Sequence, residues 1–96
     1  MRGTTATVVL RGEFDLASED FLANRLERIR ESRPRRLVYE AAQVAFIDCA
    51  SARLIADIRR SLPPGVKPVI RYPSPIMLRV LEVSGIGALC QIELRG

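Results

Sequence analysis

Histidine is absent from the 96-residue chain. That absence excludes imidazole acid–base catalysis and histidine metal sites. Cysteine occurs only at Cys49 and Cys90, too few for a disulfide framework or a cysteine zinc site. No apolar run exceeds a few residues, so no membrane-spanning helix is expected. The start, Met1-Arg2-Gly3-Thr4-Thr5, has no apolar signal core, and the expected location is cytoplasmic. Lysine is also scarce, with Lys67 alone against fourteen arginines. There is no Gly-Lys-Ser/Thr phosphate loop. Gly85-Ile86-Gly87 follows a helix pattern where a dinucleotide fingerprint needs a strand. No cofactor is expected.

What is present is the mixture of an ordinary folded domain. Apolar residues make 48% and charged residues 27% of the chain, enough for one core and one domain over residues 1–96. The net charge of +4 raises nucleic acid as a partner. Its distribution argues against that. Arg25, Glu27, Arg28, Arg30 and Glu31 alternate in sign like a solvated helix face. Arg33, Arg35 and Arg36 form the tightest basic group, without the interleaved aromatics of a stacking platform.

Strand and helix signals alternate. Ala6–Leu10 reads as a strand ended by Gly12. Ser18 reads as the N-cap of a helix with Glu19 and Asp20 in its first turn. Leu22, Leu26 and Ile29 mark its buried stripe, and Pro34 stops it near Ser32. Arg36–Glu40 is the second strand, interrupted by Ala41-Ala42-Gln43 before the short apolar segment Val44–Ile47. Asp48 caps a second helix that runs to Pro63-Pro64-Gly65. Val69–Tyr72 is a third strand. Ser74 and Pro75 open a third helix, with Gly85 as its left-handed stop. Ala88–Leu94 alternates as a last strand, with Cys90, Ile92 and Leu94 on one side. The order β-α-β-α-β-α-β predicts a small α/β domain with three helices on a mainly parallel or mixed four-stranded sheet. One sheet face is expected to lack a covering helix.

Ligands meet such sheets at the carboxyl ends of the strands. Two loops there carry carboxylates, Asp15 and Asp48. Either residue serves as a cap, and together they make a polar surface. Cys49 follows Asp48 at the first helical position, where a helix N-terminus favours a thiolate. With no histidine base, and with Asp48 opposing the thiolate, catalysis is not expected and the domain reads as a non-enzyme. Cys49 and Cys90 fall at opposite ends of roughly parallel strands, so an intramolecular disulfide is not expected.

The local patterns resemble a known family. Gly12-Glu13-Phe14-Asp15-Leu16-Ala17-Ser18 is similar to the opening loop of the STAS domain, the fold of bacterial anti-sigma factor antagonists. Val44-Ala45-Phe46-Ile47-Asp48 is similar to the segment that leads, in that family, into a phosphorylatable serine, a small residue and a glycine. Ser84-Gly85-Ile86 fits the stop of the third helix. The resemblance runs from about Val8 to Leu94. It implies a bacterial protein-binding module that docks on an anti-sigma factor of the serine-kinase type and frees a sigma factor. Asp15, Ser18, Asp48, Cys49, Ala50, Ser51 and Arg53 occupy the implied partner-binding positions. The pattern departs at its centre. Cys49 stands at the phosphoacceptor position, Ala50 follows, Ser51 takes the glycine position, and Arg53 replaces a small residue. The usual switch is therefore expected to be lost; Ser51 reads first as a solvated or capping serine, with a displaced phosphosite as the alternative. The alternative is a redox- or ligand-responsive sensor using Cys49 or the Asp15 and Asp48 loops. The usual strand before Val8 and helix after Leu94 look cut short, as in a trimmed domain or one leaving an edge for a homodimer.

Overall fold

The computed structural model describes residues 4–95. The expected domain limits at residues 1 and 96 lie outside this range. The chain runs β1 (Thr5–Phe14), α1 (Glu19–Ser32), β2 (Arg36–Ile47), α2 (Cys49–Asp57), β3 (Val69–Arg71), α3 (Pro75–Ser84) and β4 (Gln91–Glu93). Single 3₁₀ turns occupy Leu16–Ser18, Ile58–Ser61 and Ile86–Leu89. The four strands pair in sequence order, and every pair is parallel. Among the described residues no helix is long and apolar enough to cross a membrane.

Parallel neighbours in sequence order need one crossover after another, and right-handed crossovers place every helix on the same face. Strand side chains alternate between faces, and the burial pattern follows. Val8, Tyr39 and Ile70 pair across the sheet on the helix side, with Ile92 next in the row. Val8, Leu10, Leu37, Tyr39, Ala41 and Ile70 join Leu22 and Leu26 of α1, Ile55 of α2, and Met77 and Leu81 of α3 in one core. Each large aliphatic side chain so buried contributes roughly 1.5–3 kcal/mol. The opposite face carries the row Val9, Glu40, Arg71 and Glu93. There Arg71 donates Nη1–H to Glu40 Oε2 and Nε–H to Glu93 Oε1, each at 3.0 Å. The hydrogen bonds it donates to Glu93 and Glu40 push the guanidinium pKa further up.

The ends of the strands differ from the sequence expectation. Gly12 does not end β1. At φ +89° it sits in the left-handed region and lets the strand absorb register shifts on either side, as a bulge requires. Pairing then resumes to Phe14. Ala41-Ala42-Gln43 likewise does not interrupt β2, because Gln43 pairs with Arg11 of β1 and carries the ladder through. The last strand starts later than expected. After Gly85 the chain makes a 3₁₀ turn, with Ala88 N–H on Gly85 O (3.2 Å) and Cys90 N–H on Gly87 O (3.1 Å). Only Gln91–Glu93 then find strand partners, because β3 offers three residues. Leu94 is exposed.

Two buried titratable groups sit in this core. Tyr39 is fully buried, and its hydroxyl donates to the Ile55 carbonyl at 3.1 Å. Burial raises its phenol pKa above the ordinary range, and a charged Cys90 would raise it further. Burial also pushes the Cys90 thiol from its ordinary 9.0 up to about 11, against the opposing pull of Lys67 and Arg59. Between those values the unfolded chain loses a proton that the folded chain keeps. The stabilisation is full below pH 9 and is lost as pH rises toward 11. Chemical denaturation across pH 8–11 should therefore show falling stability from about pH 9. Cys90→Ala should flatten the first part of that slope, leaving the Tyr39 contribution above pH 10. An unchanged slope in the variant would remove Cys90 as its source.

Candidate functional site

Adjacent strands deliver the two acidic loops to one place. Phe14 of β1 pairs with Ile47 of β2, and the next amide, Asp48 N–H, donates to Phe14 O at 3.0 Å. Asp15 and Asp48 therefore leave the sheet side by side. Asp48 caps α2 as expected, with Oδ1 accepting Ser51 N–H at 2.8 Å. Asp15 caps the 3₁₀ turn that follows it, with Oδ1 accepting Ser18 N–H at 3.2 Å.

Ser18 departs from the expected role. Its Oγ accepts Asp15 N–H at 3.0 Å, closing a reciprocal capping box. It makes no side-chain cap bond to α1. The 3₁₀ turn moves the cap three residues upstream, and Ser18 locks the Asp15 loop instead.

Helix α2 sorts the remaining expected site residues by face. Cys49, Ala50 and Arg53 are exposed. Ser51, Ala52, Ile55 and Ala56 are buried. Ser51 is 0% exposed, and its Oγ has no hydrogen-bond partner. Ser51 is therefore not the solvated serine expected, and its hydroxyl is not part of the exposed face of α2. A kinase needs a reachable hydroxyl, and α2 turns this one into the core. Cys49, Ala50, Arg53, Asp15 and Asp48 remain available at the surface, with both carboxylates half-buried.

The sequence reading missed the apolar part of this end. Leu16 is 79% exposed on the Asp15 turn, Phe46 is 41% exposed just before Asp48, and Ile76 and Val83 project from α3. Cys49 opens onto a cleft of about 240 Å³ that it shares with Ile76, Arg79, Val80 and Val83. The signal for Phe46 was strand alternation, since Ile47 points inward and its neighbour must point out. For Val83 it was helix phase, opposite Met77 and Leu81. Contiguous exposed apolar surface marks docking sites, and the structure gathers such surface at the cleft of Cys49, Ile76, Val80 and Val83. Cys49 and Cys90 are both free thiols, one exposed and one buried.

Two outcomes follow. Ser51→Ala removes a buried hydroxyl with no partner and should stabilise the fold by about 1 kcal/mol, read as a rise in Tm. A fall in Tm would mean that the hydroxyl is satisfied in solution. A thiol reagent at neutral pH should titrate Cys49 quickly and Cys90 only after denaturation; fast reaction at both sites would contradict the buried position of Cys90.

Comparison with known proteins places this geometry. No curated protein sequence matches the chain. Among solved structures, a crystal structure of an anti-sigma factor antagonist from Mycobacterium paratuberculosis superposes with TM-score 0.83 at 16% identity, covering 97% of this chain and 80% of that one. The anti-sigma factor antagonist SpoIIAA in its unphosphorylated form gives TM-score 0.77 at 19% identity, over 98% of this chain and 84% of its own. The phosphorylated form of the Bacillus cell fate determinant SpoIIAA gives 0.67 at 20%, over 98% and 86%. These identities establish a shared fold. The family model for the STAS domain matches residues 2–95, and the chain belongs to that family.

Proposed function

We propose that this domain is an anti-sigma factor antagonist-like binding module, not an enzyme. It docks on a bacterial anti-sigma factor of the serine-kinase type in the cytoplasm and so releases a sigma factor. The observation that carries this reading is the surface at the carboxyl ends of β1 and β2. Two capped carboxylates stand side by side there, with Leu16 and Phe46 exposed close to them in the chain and Cys49 opening onto the apolar cleft of Ile76, Val80 and Val83. Carboxylates held in fixed orientation suit docking on a partner with complementary charge. The similarity to the two SpoIIAA structures, one unphosphorylated and one phosphorylated, supports it at the level of fold.

The usual switch is absent in this reading. Cys49 is the first residue of α2, which by the family resemblance is the phosphoacceptor position, and a thiol is no substrate for a serine kinase. A phosphate there would add close to two negative charges beside Asp15 and Asp48 and repel a partner chosen for them. Without a hydroxyl the domain stays competent to bind. Arg53 adds a cation to the exposed face of α2 and biases partner choice. A second reading rests on the exposure of Cys49. Oxidation of that thiol would then replace phosphorylation as the input.

The test uses the source organism's purified serine-kinase anti-sigma factors. The wild-type domain should bind one of them, and Asp48→Lys should abolish binding. Asp48→Asn, which retains a capping oxygen, separates loss of charge from loss of fold. With ATP, the wild type should take up no phosphate and Cys49→Ser should be labelled. Labelling of the wild type would end the constitutive reading. Binding abolished by peroxide and restored by reductant, only when Cys49 is present, would establish the redox reading instead.

A further inference from the structure

The other end of the sheet has a different character. Arg35 and Arg36 open β2, and Lys67 precedes β3, so parallel pairing brings them to one edge. Arg35, Arg36 and Lys67 line a cleft of about 370 Å³ with Val66 and Val69 on its wall. A second cleft of about 260 Å³ shares Val66 and Lys67 with the first and adds Arg59. Among the described residues no carboxylate lines either cleft. Lys67 is held in place by donating to the Ala88 carbonyl at 3.1 Å. Arg59 Nε is buried without a hydrogen-bond partner, although a guanidinium N–H removed from water calls for an acceptor. The convergence of charge is felt inside the molecule as well, since both Lys67 and Arg59 pull on the Cys90 thiol.

We propose that these joined clefts are a second docking site, for an extended acidic peptide segment that carries aliphatic side chains. Four cations with no lining acid select an anion. The carboxylates of such a segment match Arg35, Arg36 and Lys67, with Arg59 lining the adjoining cleft, and its aliphatic side chains match Val66 and Val69. A nucleic acid strand fits less well, because no aromatic residue lines either cleft for a base to stack on. The site is independent of the Asp15–Asp48 surface. β2 separates the two ends by roughly 35 Å at its usual rise per residue, so both can be occupied together. One domain then bridges two protein partners.

Fluorescence anisotropy tests this on the full chain. The probes are a fluorescein-labelled glutamate-rich peptide containing leucines, the same peptide with lysine for glutamate, and a labelled single-stranded oligonucleotide of equal charge. The acidic peptide should bind saturably and the basic one should not. Arg35→Glu combined with Lys67→Glu should weaken binding about tenfold or more. These side chains are exposed, and circular dichroism checks that the variant is folded. Arg35→Gln with Lys67→Gln should give an intermediate loss. Asp48→Lys should leave peptide binding unchanged, whatever it does at the other end. No saturable binding, equal binding by the charge-reversed variant, or tighter binding of the oligonucleotide would each overturn the proposal.

Discussion

The ladder between β1 and β2 is the interaction on which the rest of the structure depends. It runs from Thr5–Arg36 to Phe14–Ile47, while β3 and β4 add only three pairs each. Because it is parallel, both strands end at the same edge. That single fact brings Asp15 beside Asp48 and seats α2 directly above them. It also fixes the crossover on one face, and each later crossover repeats the choice. All three helices then share one core, and the other sheet face carries Val38 and Val69 beside the row Val9, Glu40, Arg71 and Glu93.

Under the proposed function the two site carboxylates have a double role. Each accepts a backbone N–H that would otherwise be unpaired at a helix or turn start. Capping holds the side chains in one orientation, and an oriented charge recognises a partner better than a mobile one. The capping and binding roles therefore reinforce each other. Ser18 belongs to the same arrangement through its reciprocal bond to Asp15, so it shapes the surface without being its centre.

Loops that follow strands and loops that precede them meet at opposite ends, because every strand points the same way. The carboxyl edge carries Asp15 and Asp48 with Arg53 and Arg79 nearby. At the amino edge, Arg35, Arg36 and Lys67 line a cleft without a carboxylate among its lining residues.

Sequence alone determined the element order, the parallel sheet, the three helices and the caps at Asp48 and Ser74. These are local signals: alternation, helical period, cap residues and glycine stops. The family was legible for the same reason, since its motifs are short and lie at strand and helix junctions. Tertiary structure alone decided what depends on neighbours distant in the chain. Gly12 and Ala41-Ala42-Gln43 look like breaks, yet β1 and β2 hold each other through them. Ser51 looks like a surface hydroxyl, but the phase of α2 against the sheet buries it. Ala88–Leu94 alternates like a strand, yet strand length was set by the partner, and β3 supplied only three residues. The apolar cleft of Cys49, Ile76, Val80 and Val83, and the cationic clefts at the opposite edge, join residues from separate elements. Their proximity is fixed by strand order and direction, which no local window of sequence contains.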